Sequence, residues 1–234
     1  MTGAHSSGDR QAPAGIAREF DAKAERYESN RLAPWYRAQD ELVLDHLPRI
    51  RGTLLDIGCG TGWLLRRALE RNPEAFGVGL DLSEEMVRVG RGKAESEGIT
   101  HASFVAGSWE DERARLRALR TLPSPPTVAT CVSAFHYFED PAAAARHVRE
   151  AHDPGGTLFL LDRAMDSSVG TLAWDLLHRF VVRDQVRFYR TDELASMLSD
   201  AGFEEVRVLT RVRRLFWKGK LYTSLVFLSA RAPH

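Results

Sequence analysis

The segment LLDIGCGTGWLL, residues 54–65, sets glycine at positions 58, 60 and 62 directly behind an apolar run that carries Asp56. Glycine has the most backbone freedom to lose, so alternating glycines in an ordered element require a tight turn, a close ligand, or both. About 20 residues further on, Asp81 closes a second apolar run, AFGVGLD, where a carboxylate can accept two hydroxyl hydrogen bonds from a ribose. A dinucleotide loop reads G-x-G-x-x-G or -A, but the bulky Trp63 fills its sixth position here. A phosphate-binding loop ends in Gly-Lys-Ser/Thr, and this loop holds no lysine. The helix expected directly after the loop offers free N–H groups and partial positive charge to an anionic group. These residue types suit a nucleoside with a short zwitterionic arm better than a pyrophosphate. Proton chemistry has one prominent candidate, His136, just after the apolar run TVATCVSAF, because an imidazole exchanges protons near neutral pH. Its alternative is a structural histidine bonded to a backbone carbonyl. Asp162 closes the run TLFLLD and Arg163 follows it; both face the same way, and ordinary loop polarity is the preferred reading for both.

These groups need strands and helices to place them. TLLDIG reads as a buried strand, and WLLRRALER as an amphipathic helix stopped by Asn72-Pro73. AFGVGLD is a second strand, after which Ser83 caps a helix with Glu84 and Glu85 in its first turn. ASFVAGS, TVATCVSAF and TLFLLD are three further strands, separated by the helical stretches ERARLRALRTL and the alanine-rich segment that Asp140-Pro141 starts. Thr191 is expected to cap DELASMLSDAG, and the closing strands FEEVRVLTRV and YTSLVFLSAR, with no helix between them, should pair as a hairpin at the end of the sheet. Strands alternating with helices predict an α/β fold with a parallel sheet covered on both faces. Before the first strand, IAREFDAKAERYESN and PWYRAQDELVLDHL carry helical spacing.

Bulk properties narrow the partners. The chain has 234 residues with 32 acidic and 32 basic side chains, so no global field attracts nucleic acid or an anionic membrane. No apolar run is long enough to span a bilayer, and residues 1–15 read as a disordered tail without a leader's apolar core. Cys59 and Cys131 form neither a disulfide framework nor a metal-ligand set, which predicts a cytoplasmic setting and no metal. Residues 16–234 are expected to form a single domain with an N-terminal helical cap over 16–50 and a substrate-side insert over 164–190.

LLDIGCGTG, GVGLDLSEEMV, FVAGSWED, SAFHYFEDP and DPGGTLFLLD, in that order, resemble the motifs of class I S-adenosylmethionine-dependent methyltransferases, in particular the small-molecule branch that includes the ubiquinone and menaquinone enzymes. The resemblance implies a Rossmann-like seven-stranded, mostly parallel sheet with a C-terminal antiparallel hairpin strand, and S-adenosyl-L-methionine as cofactor. It implies that Asp56, Gly58, Cys59, Gly60 and Gly62 surround the methionine arm, and that Asp81 holds the ribose. It sets Leu82 and Met86 against the adenine region, Ser108 and Trp109 beside the adenine, and the backbone at Ser133 close to the cofactor. Gly62 has a packing alternative and Trp109 a core alternative.

On the acceptor side, His136 becomes the candidate base for a hydroxyl or an acidic carbon, an effect of about 10²–10⁴-fold. Tyr27, Trp35, Tyr36, Trp174, Phe180, Phe188 and Tyr189 are available for an apolar or aromatic acceptor, although helix-spaced aromatics often belong to cores. The expectation is O- or C-methylation of a small molecule in secondary metabolism by a monomer or homodimer that binds neither nucleic acid nor membrane. The alternatives are a repurposed fold that binds S-adenosylmethionine without methyl transfer (a cyclase or a regulatory protein) and N-methylation of a small amine.

Overall fold

Strand β1 (Thr53–Ile57) is buried along its whole length, as a central parallel strand covered on both faces must be. The computed structural model describes residues 13–164, 189–212, 215–217, 220–222 and 225–234. Around β1 lie β2 (Phe76–Asp81), β3 (Ala102–Ala106), β4 (Val128–Val132), β5 (Thr157–Arg163), β6 (Glu204–Val212) and β9 (Leu225–Arg231), in the order β3-β2-β1-β4-β5-β9-β6. Strands β1 to β5 are parallel, and β9 runs antiparallel to both β5 and β6. The chain steps outward from β1 to β3 and then returns to β4 on the other side. Strand order therefore reverses between β1 and β4, and their carboxyl ends leave a crevice at the switch point.

Seven helices among the described residues flank or cap this sheet: α1 (Pro13–Asp21), α2 (Ala33–Leu44), α3 (Trp63–Arg71), α4 (Glu84–Ser96), α5 (Glu112–Thr121), α6 (Pro141–Ala151) and α7 (Thr191–Asp200). One core layer joins Val105, Trp109, Ala118, Val148 and Leu198 from the α5, α6 and α7 side. The opposite layer joins Leu65 and Leu69 of α3, Val87 of α4 and Val43 of α2. The N-terminal cap is thus packed onto the core layer of α3 and α4.

The start signals behave as their chemistry dictates. Ser83 accepts from the Met86 N–H at 3.1 Å, and Asp140 from the Ala143 N–H at 2.9 Å, with Pro141 at the first helical position. Asp111 caps α5 in the same way, accepting from the Ala114 N–H at 2.7 Å. Thr191 is the first residue of α7 instead of its cap; Arg190 precedes it and donates its N–H to the Glu193 carboxylate at 2.9 Å. The helical pattern that starts at Ile16 is broken after Asp21, followed by a 3₁₀ turn at Ala24–Arg26. The break lets the Asp21 carboxylate accept from the Ser83 hydroxyl and the Glu85 N–H at the positive end of α4. Helix α1 itself begins at Pro13, three residues before the start its spacing suggested. Between β6 and β9 the chain forms a two-stranded antiparallel ribbon, β7 (Leu215–Trp217) and β8 (Lys220–Tyr222), which no sequence signal announced. Most of the expected insert, including Trp174, Phe180 and Phe188, lies outside the described residues.

Candidate active site

A cavity of about 160 Å³ opens at the carboxyl ends of the strands around the switch point, roofed by α1, α2 and the segment between them. Its floor is the turn after β1. Gly58, Gly60 and Gly62 all have positive φ, at 71°, 54° and 71°. Gly58 and Cys59 donate their N–H groups to the Leu80 carbonyl at 2.8 and 3.1 Å, which ties the turn to β2. Gly60 donates to Asp81 Oδ2 at 2.7 Å, and Ser83 donates to Asp81 Oδ1 at 2.9 Å. One carboxylate at the end of β2 therefore shapes the glycine turn and the start of α4 together while it lines the cavity.

The glycines differ in what they make room for. A Cβ on Gly58 would collide with the Ala134 Cβ, and one on Gly62 with the Phe104 ring. Gly62 thus serves packing of α3 against β3, the alternative its sequence context left open. A Cβ on Gly60 would meet nothing closer than Tyr27 Cε1 at 3.6 Å. Gly60 lines the cavity, and the Tyr27 ring stands next to it.

The turn sits in a field of carboxylates. Burial pushes the Asp56 carboxyl up to about 7, with Asp81 adding repulsion against the hydrogen bond donated by Thr130 Oγ1 at 2.7 Å. Asp81 is raised by burial despite its two backbone donors. Asp40 on α2 is pushed well up by burial, then by Asp56 and Glu28, with Arg37 opposing. Such a constellation favours a cationic guest beside the glycine turn, because each carboxylate regains its preferred charge when a positive group arrives.

His136 lines the same cavity from a short 3₁₀ turn (Phe135–Tyr137) after β4. The residue is 2% exposed. Its Nδ1 lies 2.6 Å from Asp162 Oδ1, and its backbone N–H donates to Asp162 Oδ2 at 3.1 Å. Asp162 is fully buried at the end of β5. An ionised carboxylate only accepts, so the proton belongs on Nδ1 and the Nε2 lone pair is left open. Nε2 is buried and has no hydrogen-bond partner, and His136 lines the cavity. A histidine that lines a cavity, held by a carboxylate and with one nitrogen left unpaired, can take a proton from a guest that reaches that nitrogen.

Ser133 also lines the cavity with a positive φ of 51°, and its hydroxyl donates to Gln39 Oε1 from α2. Tyr27 stacks on Tyr36 with ring centroids 4.9 Å apart, and Phe20 meets Tyr137 edge-on at 5.7 Å. The Tyr27 hydroxyl is held well above the usual tyrosine range by burial, then by Tyr36, Asp40 and Asp81.

Of the residues singled out in the sequence, Gly58, Gly60, Asp81, Leu82, Ser108, Trp109, Ser133 and His136 line the cavity, as do Tyr27, Trp35 and Tyr36. Trp109 does double service: its indole N–H donates to the Ala144 carbonyl at 3.2 Å within the core, and it still borders the cavity. Asp56, Cys59, Gly62, Met86 and Tyr189 are not on the cavity wall. Asp56 turns its carboxylate to Thr130, and Cys59 packs its sulfur toward Gly79. Met86 is buried with Ala24 and Val89, and Tyr189 packs on Phe135 at 6.0 Å. Asp162 and Arg163, both named in the sequence and read by preference as loop polarity, have places at the site: Asp162 braces His136, and Arg163 lines the cavity. Glu110 was missed; it lines the cavity, and its carboxylate accepts from the Glu139 and Asp140 N–H groups at 3.0 and 2.7 Å. Ile16 and Phe20, four residues apart on α1, supply an apolar roof that helical spacing did signal. Among the described residues no three metal-ligating side chains gather into a metal site, and no helix is long and apolar enough to cross a membrane.

A family profile described as "Methyltransferase domain" matches residues 24–208. The chain is 29% identical over 193 residues to a ubiquinone/menaquinone biosynthesis C-methyltransferase of Dinoroseobacter shibae, a match spanning 74% of each protein. It is 28% identical over 163 residues to a ubiquinone biosynthesis O-methyltransferase of Idiomarina loihiensis, a match spanning 66% of this chain and 63% of that relative. Among solved structures, the [4+2]-cyclase SpnF shares the fold with a TM-score of 0.70 at 17% identity, over 97% of this chain and 98% of the other.

Proposed function

The chain belongs to the S-adenosylmethionine-dependent methyltransferases, and on that ground we propose that it transfers methyl to a hydroxyl oxygen or activated carbon of an apolar or aromatic small molecule. The observation that carries this reading is His136 on the wall of the same cavity as the glycine turn and Asp81, its Nδ1 braced by the buried Asp162 and its Nε2 left without a hydrogen-bond partner.

The residues present fit the donor. The bare backbone at Gly60, the carboxylate at Asp81 and the acidic surroundings match a peptide-close arm, a ribose diol and a positive charge in turn. Asp81 would hold the ribose hydroxyls; Leu82, Ser108 and Trp109 would border the adenine, and Gly58, Gly60 and the Ser133 backbone the methionine arm. Asp56 would act through its charge, and Cys59, Gly62 and Met86 by shaping the turn and the helix behind it. When bound, S-adenosylmethionine supplies the methyl group as a carbon electrophile on a sulfonium sulfur.

The protein's part is orientation, exclusion of water and proton management. Nε2 of His136 accepts the proton of the acceptor's hydroxyl or acidic carbon, and Asp162 holds the ring in the right tautomer and stabilises the imidazolium that forms. Phe20, Trp35, Tyr36, Tyr137 and Phe138 give the acceptor an apolar, aromatic enclosure. Tyr189, Trp174 and the remaining insert stay candidates for the acceptor's outer contacts. The two free cysteines accord with a cytoplasmic setting, and the reading includes a monomer or homodimer engaged in secondary metabolism.

Incubation with S-adenosylmethionine and a panel of phenols, enols and amines, followed by mass spectrometry, tests the proposal. Methylated oxygen or carbon together with S-adenosylhomocysteine supports it. Methylated amines alone replace it with N-methylation, and cofactor binding with no S-adenosylhomocysteine across the panel replaces it with a role that transfers no methyl.

A further inference from the structure

Glu28, one residue beyond Tyr27, ties the segment between α1 and α2 to the rest of the molecule. Its Oε1 accepts from the Thr61 hydroxyl at 2.6 Å and from Arg66 Nη2 at 2.7 Å, and its Oε2 from Lys93 Nζ at 3.1 Å. The donors come from three separate places: the glycine turn, α3 and α4. Thr61 stands between Gly60 and Gly62 and is 2% exposed. The Arg66 side chain is 1% exposed and that of Glu28 is 18% exposed, so the pair is shielded from the screening that weakens surface ion pairs. Burial alone would raise the Glu28 carboxyl; the Thr61 hydrogen bond and the charges of Arg66 and Lys93 outweigh it and hold the group below the usual carboxylate range.

The neighbouring Tyr27 has no comparable anchor of its own in the turn. Its ring stacks on Tyr36, its Cε1 is the nearest atom that a Cβ on Gly60 would meet, at 3.6 Å, and both Tyr27 and Gly60 line the cavity. We propose that Glu28 is a positioning residue for the methyl donor: by gripping Thr61, Arg66 and Lys93 it holds the Tyr27 ring over Gly60 and so sets the height of the donor's compartment. The inference rests on the reading of this cavity as the donor site. Loss of Glu28 leaves Arg66 still paired with Glu97, so the variant keeps a partner for its buried guanidinium.

Isothermal titration with S-adenosylmethionine on the whole chain tests this, using Glu28→Ala, Glu28→Gln, Tyr27→Ala and the double variant Tyr27→Ala/Glu28→Ala. Glu28→Ala weakens donor binding by about tenfold. Glu28→Gln, which keeps an acceptor for Thr61 and loses the charge, recovers part of that loss. Because Glu28 acts through Tyr27, the double variant binds no more weakly than Tyr27→Ala within about twofold. Should circular dichroism show Glu28→Ala unfolded, Glu28→Gln and its double with Tyr27→Ala complete the same cycle. Folded Glu28 variants that bind like the unaltered chain, or losses that multiply in the double variant, overturn the inference. Failure of the unaltered chain to bind the donor overturns the functional reading beneath it.

Discussion

Replacing Asp81 by alanine removes two kinds of contact at once. In the present structure Oδ2 takes the Gly60 N–H at 2.7 Å and Oδ1 takes the Ser83 N–H at 2.9 Å. A carboxylate offers about four acceptor positions, so one remains on each oxygen, and these are the positions the ribose hydroxyls would take. Loss of both ribose bonds, net of their exchange with water, costs about 1–3 kcal/mol, or about 5- to 150-fold in dissociation constant. Loosening of the glycine turn adds to that, because Gly60 loses the partner that holds its N–H at the cavity floor. Asp81→Asn separates the two contributions. Its amide keeps one oxygen, but whichever way it is turned an NH₂ faces one of the two backbone donors, so asparagine restores little of the loss. Isothermal titration with S-adenosylmethionine reads the affinity, and a thermal melt confirms that each variant is folded. Unchanged donor affinity in folded Asp81→Ala, or full recovery in Asp81→Asn, would refute the reasoning.

Asp162→Asn and His136→Ala each lower turnover by about 10²–10⁴-fold with donor affinity within about twofold, and the double variant is no slower than the worse single one; S-adenosylhomocysteine release with a productive acceptor measures this, and losses that multiply contradict a single acid–base unit. The raised Asp56 carboxyl keeps its proton in the folded chain up to about pH 7, whereas the unfolded chain releases it near pH 4. The folded state then holds the extra proton, so stability in urea titrations of the free protein falls as pH rises from about 4 to 7, and Asp56→Asn flattens that fall. A wild-type stability that rises across this window, with no change in Asp56→Asn, contradicts the assignment. Gly62→Ala combines a left-handed backbone with collision against Phe104 and costs about 2–5 kcal/mol, whereas Gly60→Ala costs about 1–2 kcal/mol. Chemical denaturation showing equal losses would contradict the different jobs given to the two glycines.

Local signals in the sequence were the ones that carried. Ser83 and Asp140 announce helix starts because a cap and the N–H it serves are three residues apart. The glycine turn and Asp81 were legible for a related reason: the turn and the strand beside it are consecutive elements, and their chemistry shows in residue type. The hairpin of β6 and β9 followed from the missing helix between them, although the ribbon inserted there did not. What escaped was contact between distant segments. Asp162 looks like any polar residue at a strand end until β4 and β5 are set side by side and it meets His136 across 26 positions. Gly62 is silent about its packing role until Phe104 of β3 arrives over it. Glu28 carries an ordinary charge in a helical pattern, and its donors at Thr61, Arg66 and Lys93 are gathered only by the folded cap. Met86 and Cys59 likewise lie off the cavity wall, Met86 buried with Ala24 and Val89 and the Cys59 sulfur against Gly79, contacts that residue type alone does not reveal.

A crystal structure of the chain grown with S-adenosylmethionine is the most direct measurement. The ribose should lie on Asp81 and the methionine arm along Gly58 and Gly60, with the sulfonium methyl turned toward the side of the cavity that His136 lines. A nucleoside bound elsewhere, or a methyl group directed away from His136, would contradict the assignment of this cavity as the place where methyl transfer occurs.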